Sequence, residues 1–84
     1  MPLVSAAERR QFDDVLARAG FSTLDFALDE ARAPLNAGTG IWPVGWLTVT
    51  RLSSRHDRTY EIRESGRWLE NFKEHLAAGD FGAP

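Results

Sequence analysis

Few residues in this 84-residue chain could do chemistry. It has no cysteine and only two histidines, His56 and His75, far apart in sequence. His56 precedes Asp57, an order that could serve as a general base and the group that orients it. Ser53 and Ser54 are near in sequence, but no spacing marks either as a nucleophile. A polar turn is the better interpretation. The sequence therefore predicts no enzyme and no catalytic, cofactor or metal site.

Arginines are concentrated in one segment, residues 51–63. Four arginines against Asp57 and Glu61 give this segment a local charge of +2, in a chain of net charge −2. Such a segment is a candidate contact for an acidic partner or a nucleic-acid backbone. A solvated hairpin with arginine–glutamate pairs is the plainer alternative, and the acidity of the remaining chain favours it. The candidate contacts are Arg51, Arg55, Arg58 and Arg63.

Two tryptophans, Trp42 and Trp46, flank a Pro-Val-Gly sequence. They close an irregular segment, residues 34–45, whose two prolines and three glycines exclude a regular central element. The aromatic pair either forms a lid over one end of the core or anchors a partner, because tryptophan is enriched at binding hot spots. We expect the anchor, with residues 36–46 as a partner-binding loop.

The length and composition limit the class of protein. A chain of this size forms a single small domain over residues 1–84. Its N-terminus lacks the basic and apolar parts of a signal peptide. No stretch reaches the roughly 20 apolar residues that cross a bilayer. We expect a cytoplasmic protein of bacterial type without a membrane segment.

Local signals predict two N-terminal helices. Ser5 and Glu8 form a capping box, and apolar residues then recur at helical spacing up to Gly20, which predicts a helix over about residues 6–19. Ser22 can begin a second helix, which Pro34 ends. Alanine, leucine, glutamate and arginine favour that helix over residues 23–32. A short edge strand at residues 26–28 remains the alternative.

The turn between these helices, Ala17 to Ser22, resembles that of a helix-turn-helix, where a glycine is followed by an apolar residue and a capping serine. Two features argue against DNA recognition. Leu16 stands where that family has a small residue. The second helix would present Asp25, Asp29 and Glu30, which repel phosphate.

The remaining chain predicts a β-hairpin and a final helix. Strands are expected at residues 46–52 and 58–64, with Ser53 opposite Arg58 and Val49 opposite Ile62. This register places Leu47, Val49, Tyr60 and Ile62 on one face. The other face carries Trp46, Thr48, Thr50, Leu52, Thr59, Glu61 and Arg63.

The final helix is expected over about residues 67–78, after a Ser65-Gly66 cap and before Gly79 and Phe81. Its buried stripe is Trp68, Leu69, Phe72, Leu76 and Ala77. We expect Leu16, Val49, Ile62 and Phe72 to share one core. The predicted fold is α+β: an antiparallel hairpin, with room for a third short strand, covered on one face by two or three helices.

The C-terminal half is similar to short uncharacterised bacterial proteins, some of them assigned as transcriptional regulators or found in prophage-like regions. The resemblance rests on Arg58-Thr59-Tyr60-Glu61, on Trp68 and Phe72, and on the run Leu76 to Gly82. It implies no catalytic or ligand residue.

The sequence thus predicts a small non-enzymatic interaction protein, which binds a protein partner through the 36–46 loop and the outward hairpin face. The alternative is a nucleic-acid-binding transcriptional regulator that uses the basic 51–63 hairpin. A hydrolase-like use of His56 is a distant third.

Overall fold

A computed structural model describes residues 3–32, 45–63 and 67–84. Within these ranges three strands form one antiparallel sheet in the order β1-β2-β3, so the predicted α+β class and its third strand are confirmed. In chain order the elements are α1 (Ala6–Arg18), a 3-10 turn (Thr23–Asp25), β1 (Phe26–Arg32), β2 (Gly45–Arg51), β3 (Asp57–Ile62) and α2 (Trp68–Ala77).

Helix α1 confirms the first predicted helix and both of its ends. The Ser5 hydroxyl accepts from the Glu8 amide, and the Glu8 carboxylate accepts from the Ser5 amide, each at 3.1 Å. At the C-terminus Gly20 has a φ of 85°, and the Phe21 amide donates to the Leu16 carbonyl at 2.9 Å. The left-handed glycine lets the chain reverse and buries Phe21 in the core.

The second predicted helix is wrong, because residues 26–32 form strand β1. Ser22 caps only the 3-10 turn. Strand β1 then pairs with β2 over seven residues. Helix propensities differ by only about 0.7 kcal/mol per residue among ordinary residues, so ladder bonds and the burial of Phe26 outweigh them. The turn after α1 therefore leads into a strand and not into a recognition helix.

The hairpin faces are confirmed, but the register is wrong by four residues. Val49 lies opposite Arg58 instead of Ile62, and Leu47 lies opposite Tyr60. A shift of four preserves the alternation of side chains. The four predicted inward residues are therefore all buried.

The hairpin reverses earlier than predicted. The Arg51 amide donates to the His56 carbonyl at 2.8 Å, and the Arg55 amide donates to the Arg51 carbonyl at 2.7 Å. Arg55 adopts a left-handed φ of 62°. Glycine or asparagine usually takes such a position, so an arginine there gave no turn signal.

Side chains from both helices meet those of the sheet in one core. Phe72 of α2 lies 4.9 Å from Phe12, 6.3 Å from Tyr60 and 5.4 Å from Phe81 between ring centroids. Leu16, Val49, Ile62 and Phe72 are all buried, as predicted.

Helix α2 confirms most of its predicted stripe. Trp68, Leu69, Phe72 and Leu76 are buried, but Ala77 is exposed. Its N-cap residue is Arg67, without a side-chain cap, and the predicted Ser65-Gly66 cap lies outside the described residues.

Candidate functional site

The outward side of the sheet forms the candidate site, because β2 places Trp46, Thr48 and Thr50 opposite the core side. We call this surface the Trp46 face. Cross-strand pairing adds three residues of β1 and three of β3. The Trp46 face comprises Ala27, Asp29, Ala31, Trp46, Thr48, Thr50, Asp57, Thr59 and Glu61.

Trp46 is the large apolar group of this face and is partly exposed. It lies on the central strand between Ala31 and Glu61. Beside it, the hydroxyls of Thr48 and Thr59 are 2.9 Å apart and share a hydrogen bond across the strands. The tryptophan therefore lies on a strand whose backbone pairs with a neighbouring strand on both sides. Binding a partner there should cost little backbone conformational entropy.

The electrostatics of the Trp46 face are acidic. Glu61 is neutralised by Arg63, whose Nη2 lies 2.7 Å from a Glu61 carboxylate oxygen. Asp29 and Asp57 are exposed and form no ion pair with any described residue. A face with uncompensated carboxylates attracts cationic groups and repels phosphate.

Arg51, a predicted partner contact, serves the fold instead. Its Nε donates to the Asp25 carboxylate at 3.0 Å, and its Nη1 donates to the Phe81 carbonyl at 2.9 Å. The guanidinium lies 4.8 Å from the Phe21 ring centroid, and only 13% of the side chain is exposed. Arg51 therefore ties the 3-10 turn, β2 and the C-terminal segment together.

Asp25 completes this cluster. Its carboxylate accepts from the Ser53 amide at 2.9 Å and from the Ser53 hydroxyl. Hydrogen bonds from Ser53, followed by the bond from Arg51, hold the pKa of Asp25 below its ordinary value. The sequence pattern assigned Asp25 to the predicted second helix, because no local motif links it to Arg51 or Ser53.

The other arginines of the hairpin differ in their engagement. Arg58 pairs with Asp80 at 2.9 Å, and Arg63 pairs with Glu61. Arg55 is exposed at the turn and forms no ion pair within the described segments. The hairpin thus presents much less free positive charge than its composition suggests. Trp42 and residues 36–44 of the predicted loop lie outside the described residues.

The two histidines lie in different settings. His56 Nδ1 is 2.9 Å from the Ser54 hydroxyl, and both residues are exposed in the turn. His75 Nδ1 is 2.8 Å from the Tyr60 hydroxyl, and the two rings are stacked. Burial raises the pKa of Tyr60 above its ordinary value. Within residues 3–32, 45–63 and 67–84, no group of His, Cys, Asp and Glu could hold a metal ion.

The described helices are too short or too polar to span a membrane. Comparison with known proteins gives no relative: no family model, curated protein or solved structure matches this chain.

Proposed function

We propose that this chain is a small non-enzymatic binding module whose Trp46 face docks a basic protein surface. In this proposal the two helices cover the side of Leu47 and Val49, and the opposite side of the sheet remains for a partner. A partly exposed tryptophan among carboxylates on rigid paired strands is the observation that carries the proposal.

The chemistry of the Trp46 face favours a cationic protein partner. Trp46 can accept the apolar stem or the charged head of an arginine or lysine, since cations bind to aromatic faces. Asp29, opposite Thr48, and Asp57, opposite Thr50, supply complementary charge on the same face. Thr48, Thr50 and Thr59 add hydroxyls that can form hydrogen bonds at an interface.

The nucleic-acid alternative receives less support from the same contacts. Three of its four arginines form ion pairs, and Arg51 is largely buried. Of these four, Arg55 alone forms no ion pair within the described residues, whereas tight backbone binding requires several cationic contacts.

A capture experiment with matched variants tests the proposal. Immobilised wild-type protein is compared with Thr48→Arg, which puts a bulky cation in the centre of the Trp46 face. Gln11→Arg is the control, because it adds the same group to an exposed position of α1. Each variant is checked for wild-type unfolding behaviour before native cell extract is applied, with and without nuclease.

We expect a nuclease-resistant protein that binds wild type and Gln11→Arg and is lost with Thr48→Arg. That protein, once purified, should bind more weakly as salt rises. Equal capture by all three variants would overturn the proposed site. Binding to mixed DNA or RNA at low salt, removed by nuclease and weakened by Arg55→Ala, would favour the regulator alternative instead.

A further inference from the structure

The outer edge of β1 has backbone groups that no described residue uses. The Leu52 amide donates to the Asp25 carbonyl at 2.7 Å, which fixes the phase of the β1–β2 ladder. Opposed residues of an antiparallel pair alternate between those that exchange hydrogen bonds and those that do not. Counted from Asp25 along the observed register, the backbone N–H and C=O groups of Ala27, Asp29 and Ala31 point toward β2. The N–H and C=O groups of Leu28, Glu30 and Arg32 therefore point away from the sheet.

A cleft of about 220 Å³ lies beside this edge, lined by Val4, Arg9, Leu28 and Glu30. One wall is fixed, because the Val4 amide donates to a Glu30 carboxylate oxygen at 2.8 Å. Leu28 is partly buried against the core. The cleft is smaller than the roughly 300–1,000 Å³ of small-molecule pockets, and Val4 and Leu28 provide apolar contacts in it, so it can take one small apolar side chain.

Charge distinguishes between the candidates for this edge. A second copy paired antiparallel about the middle of β1 would place Asp29 opposite Asp29, and like charges directly opposed are destabilising. A strand with a basic residue beside Asp29 would gain an ion pair on the Trp46 face. The same strand would direct its alternate side chains toward the cleft.

We propose that β1 accepts an extended segment of the protein partner, with alternating basic and small apolar residues, as a fourth strand. This inference rests on the proposed function and specifies the form of its partner. The backbone groups of Leu28 and Glu30 supply the hydrogen bonds, the cleft selects an apolar residue, and Asp29 selects a basic one. Strand addition of this kind is an established mode of peptide recognition.

The probe is a capped seven-residue peptide that alternates lysine and valine, titrated into the full chain. Amide hydrogen exchange measured by NMR should slow roughly tenfold or more at Leu28, Glu30 and Arg32 in the bound state, since these amides gain acceptors. Exchange at Asp29 and Ala31 should change less, because these amides already face β2. Binding without this alternating protection would overturn strand addition, and so would the absence of binding at millimolar peptide.

Two variants test the charge selection. Asp29→Lys should weaken the lysine–valine peptide roughly fivefold and strengthen a glutamate–valine peptide, because it reverses the charge beside the added strand. Glu74→Lys, the same charge reversal at an exposed position of α2 outside the Trp46 face, should leave both affinities unchanged. Equal effects of the two variants would contradict the choice of β1. Protection of the same amides by raising protein concentration alone would identify a second copy as the occupant and overturn the basic strand.

Failure of this inference can be separated from failure of the proposed function. If Thr48→Arg abolishes protein capture but the peptide leaves the β1 amides unprotected, the Trp46 face stands and strand addition is wrong. If the peptide protects the β1 amides but the Thr48→Arg variant captures the partner protein as well as wild type does, strand addition is supported and docking on the Trp46 face is wrong.

Discussion

The indole N–H of Trp68 donates to a carboxylate oxygen of Glu8 at 2.9 Å, although 60 residues separate the two in sequence. The other oxygen of the same carboxylate accepts from the Ser5 amide in the capping box. Glu8 therefore serves two purposes: it closes the first turn of α1, and it satisfies the polar atom of a tryptophan that is only 2% exposed.

Replacing Glu8 should consequently destabilise the fold more than an ordinary surface change. Glu8→Ala removes the capping-box hydrogen bond from the Ser5 amide, worth about 1 kcal/mol, and leaves the buried indole N–H of Trp68 unpaired at about 1–3 kcal/mol. Urea unfolding should thus show a loss of about 2–4 kcal/mol. The control, Glu74→Ala on the exposed side of α2, should stay within about 0.5 kcal/mol of wild type. Similar losses for both would mean that the Trp68 bond contributes nothing.

Phe72 should be a principal residue of the core, because its ring contacts rings from α1, the sheet and the C-terminal segment. Phe72→Ala should lower the free energy of unfolding by about 3–5 kcal/mol. Leu24→Ala is the matched control, since Leu24 is apolar but 89% exposed, and it should change stability by less than about 0.5 kcal/mol. Chemical denaturation checks both, and a near-neutral Phe72→Ala would refute this packing.

Arg51 and Arg55 offer a direct comparison of a structural and a surface arginine. Arg51→Lys keeps the charge but cannot reproduce bonds to both Asp25 and the Phe81 carbonyl, so it should cost about 1–3 kcal/mol. Arg55→Lys should be neutral within about 0.5 kcal/mol, because no described contact depends on it. The thermal unfolding midpoints of the Arg51→Lys and Arg55→Lys variants, measured under the same conditions, test this difference in stability. Equal midpoints would show that the Arg51 cluster adds no stability.

Tyr60 gives a pH-dependent test, and it is the one tyrosine of the chain. Burial favours the neutral phenol, so the pKa in the folded state lies above that of the unfolded state. Its contribution is complete below the ordinary pKa of 10.0 and is lost as the pH rises through the folded-state value. We expect no phenolate absorbance from the folded protein near pH 10.0. The free energy of unfolding should fall by up to about 1.4 kcal/mol per pH unit above it.

The variant Tyr60→Phe isolates this effect, because other groups also titrate in alkali. Its stability should depend less on pH above 10.0 than that of wild type. Phenolate absorbance that develops at the ordinary pKa, with the protein still folded, would contradict the burial of the hydroxyl.

The sequence predicted the structure correctly where interactions between residues close in sequence determine it. The capping box at Ser5 and the left-handed Gly20 predicted α1 within a residue at each end. Alternation of Leu47, Val49, Tyr60 and Ile62 predicted the buried side of the hairpin, because side-chain parity depends only on odd or even position. The capping signals belong to one short segment, and the alternation of side chains has a period of two residues. Neither depends on contacts with distant parts of the chain.

Long-range pairing explains what the sequence did not reveal. Residues 26–32 have helix-favouring composition, and only the ladder to β2 makes them a strand. Parity cannot distinguish registers four apart, and Arg55 conceals the turn that fixes the register. The candidate arginines were chosen from the composition of the hairpin segment. Composition does not show which carboxylate each arginine pairs with. Asp25 and Asp80, the partners of Arg51 and Arg58, lie far from them in sequence, and Arg63 pairs with Glu61.

Helix α1 precedes the three described strands in the sequence and α2 follows them, and this order affects the folding rate. The hairpin between β2 and β3 joins neighbouring residues and can form within about 1–10 μs. Phe12 and Phe72 must instead come together from opposite ends of the chain before their rings can pack at 4.9 Å. Since such non-local contacts slow folding, the chain should fold more slowly than a helical bundle of equal length. The contact between the helices should then be among the last to form, and its loss should mainly accelerate unfolding.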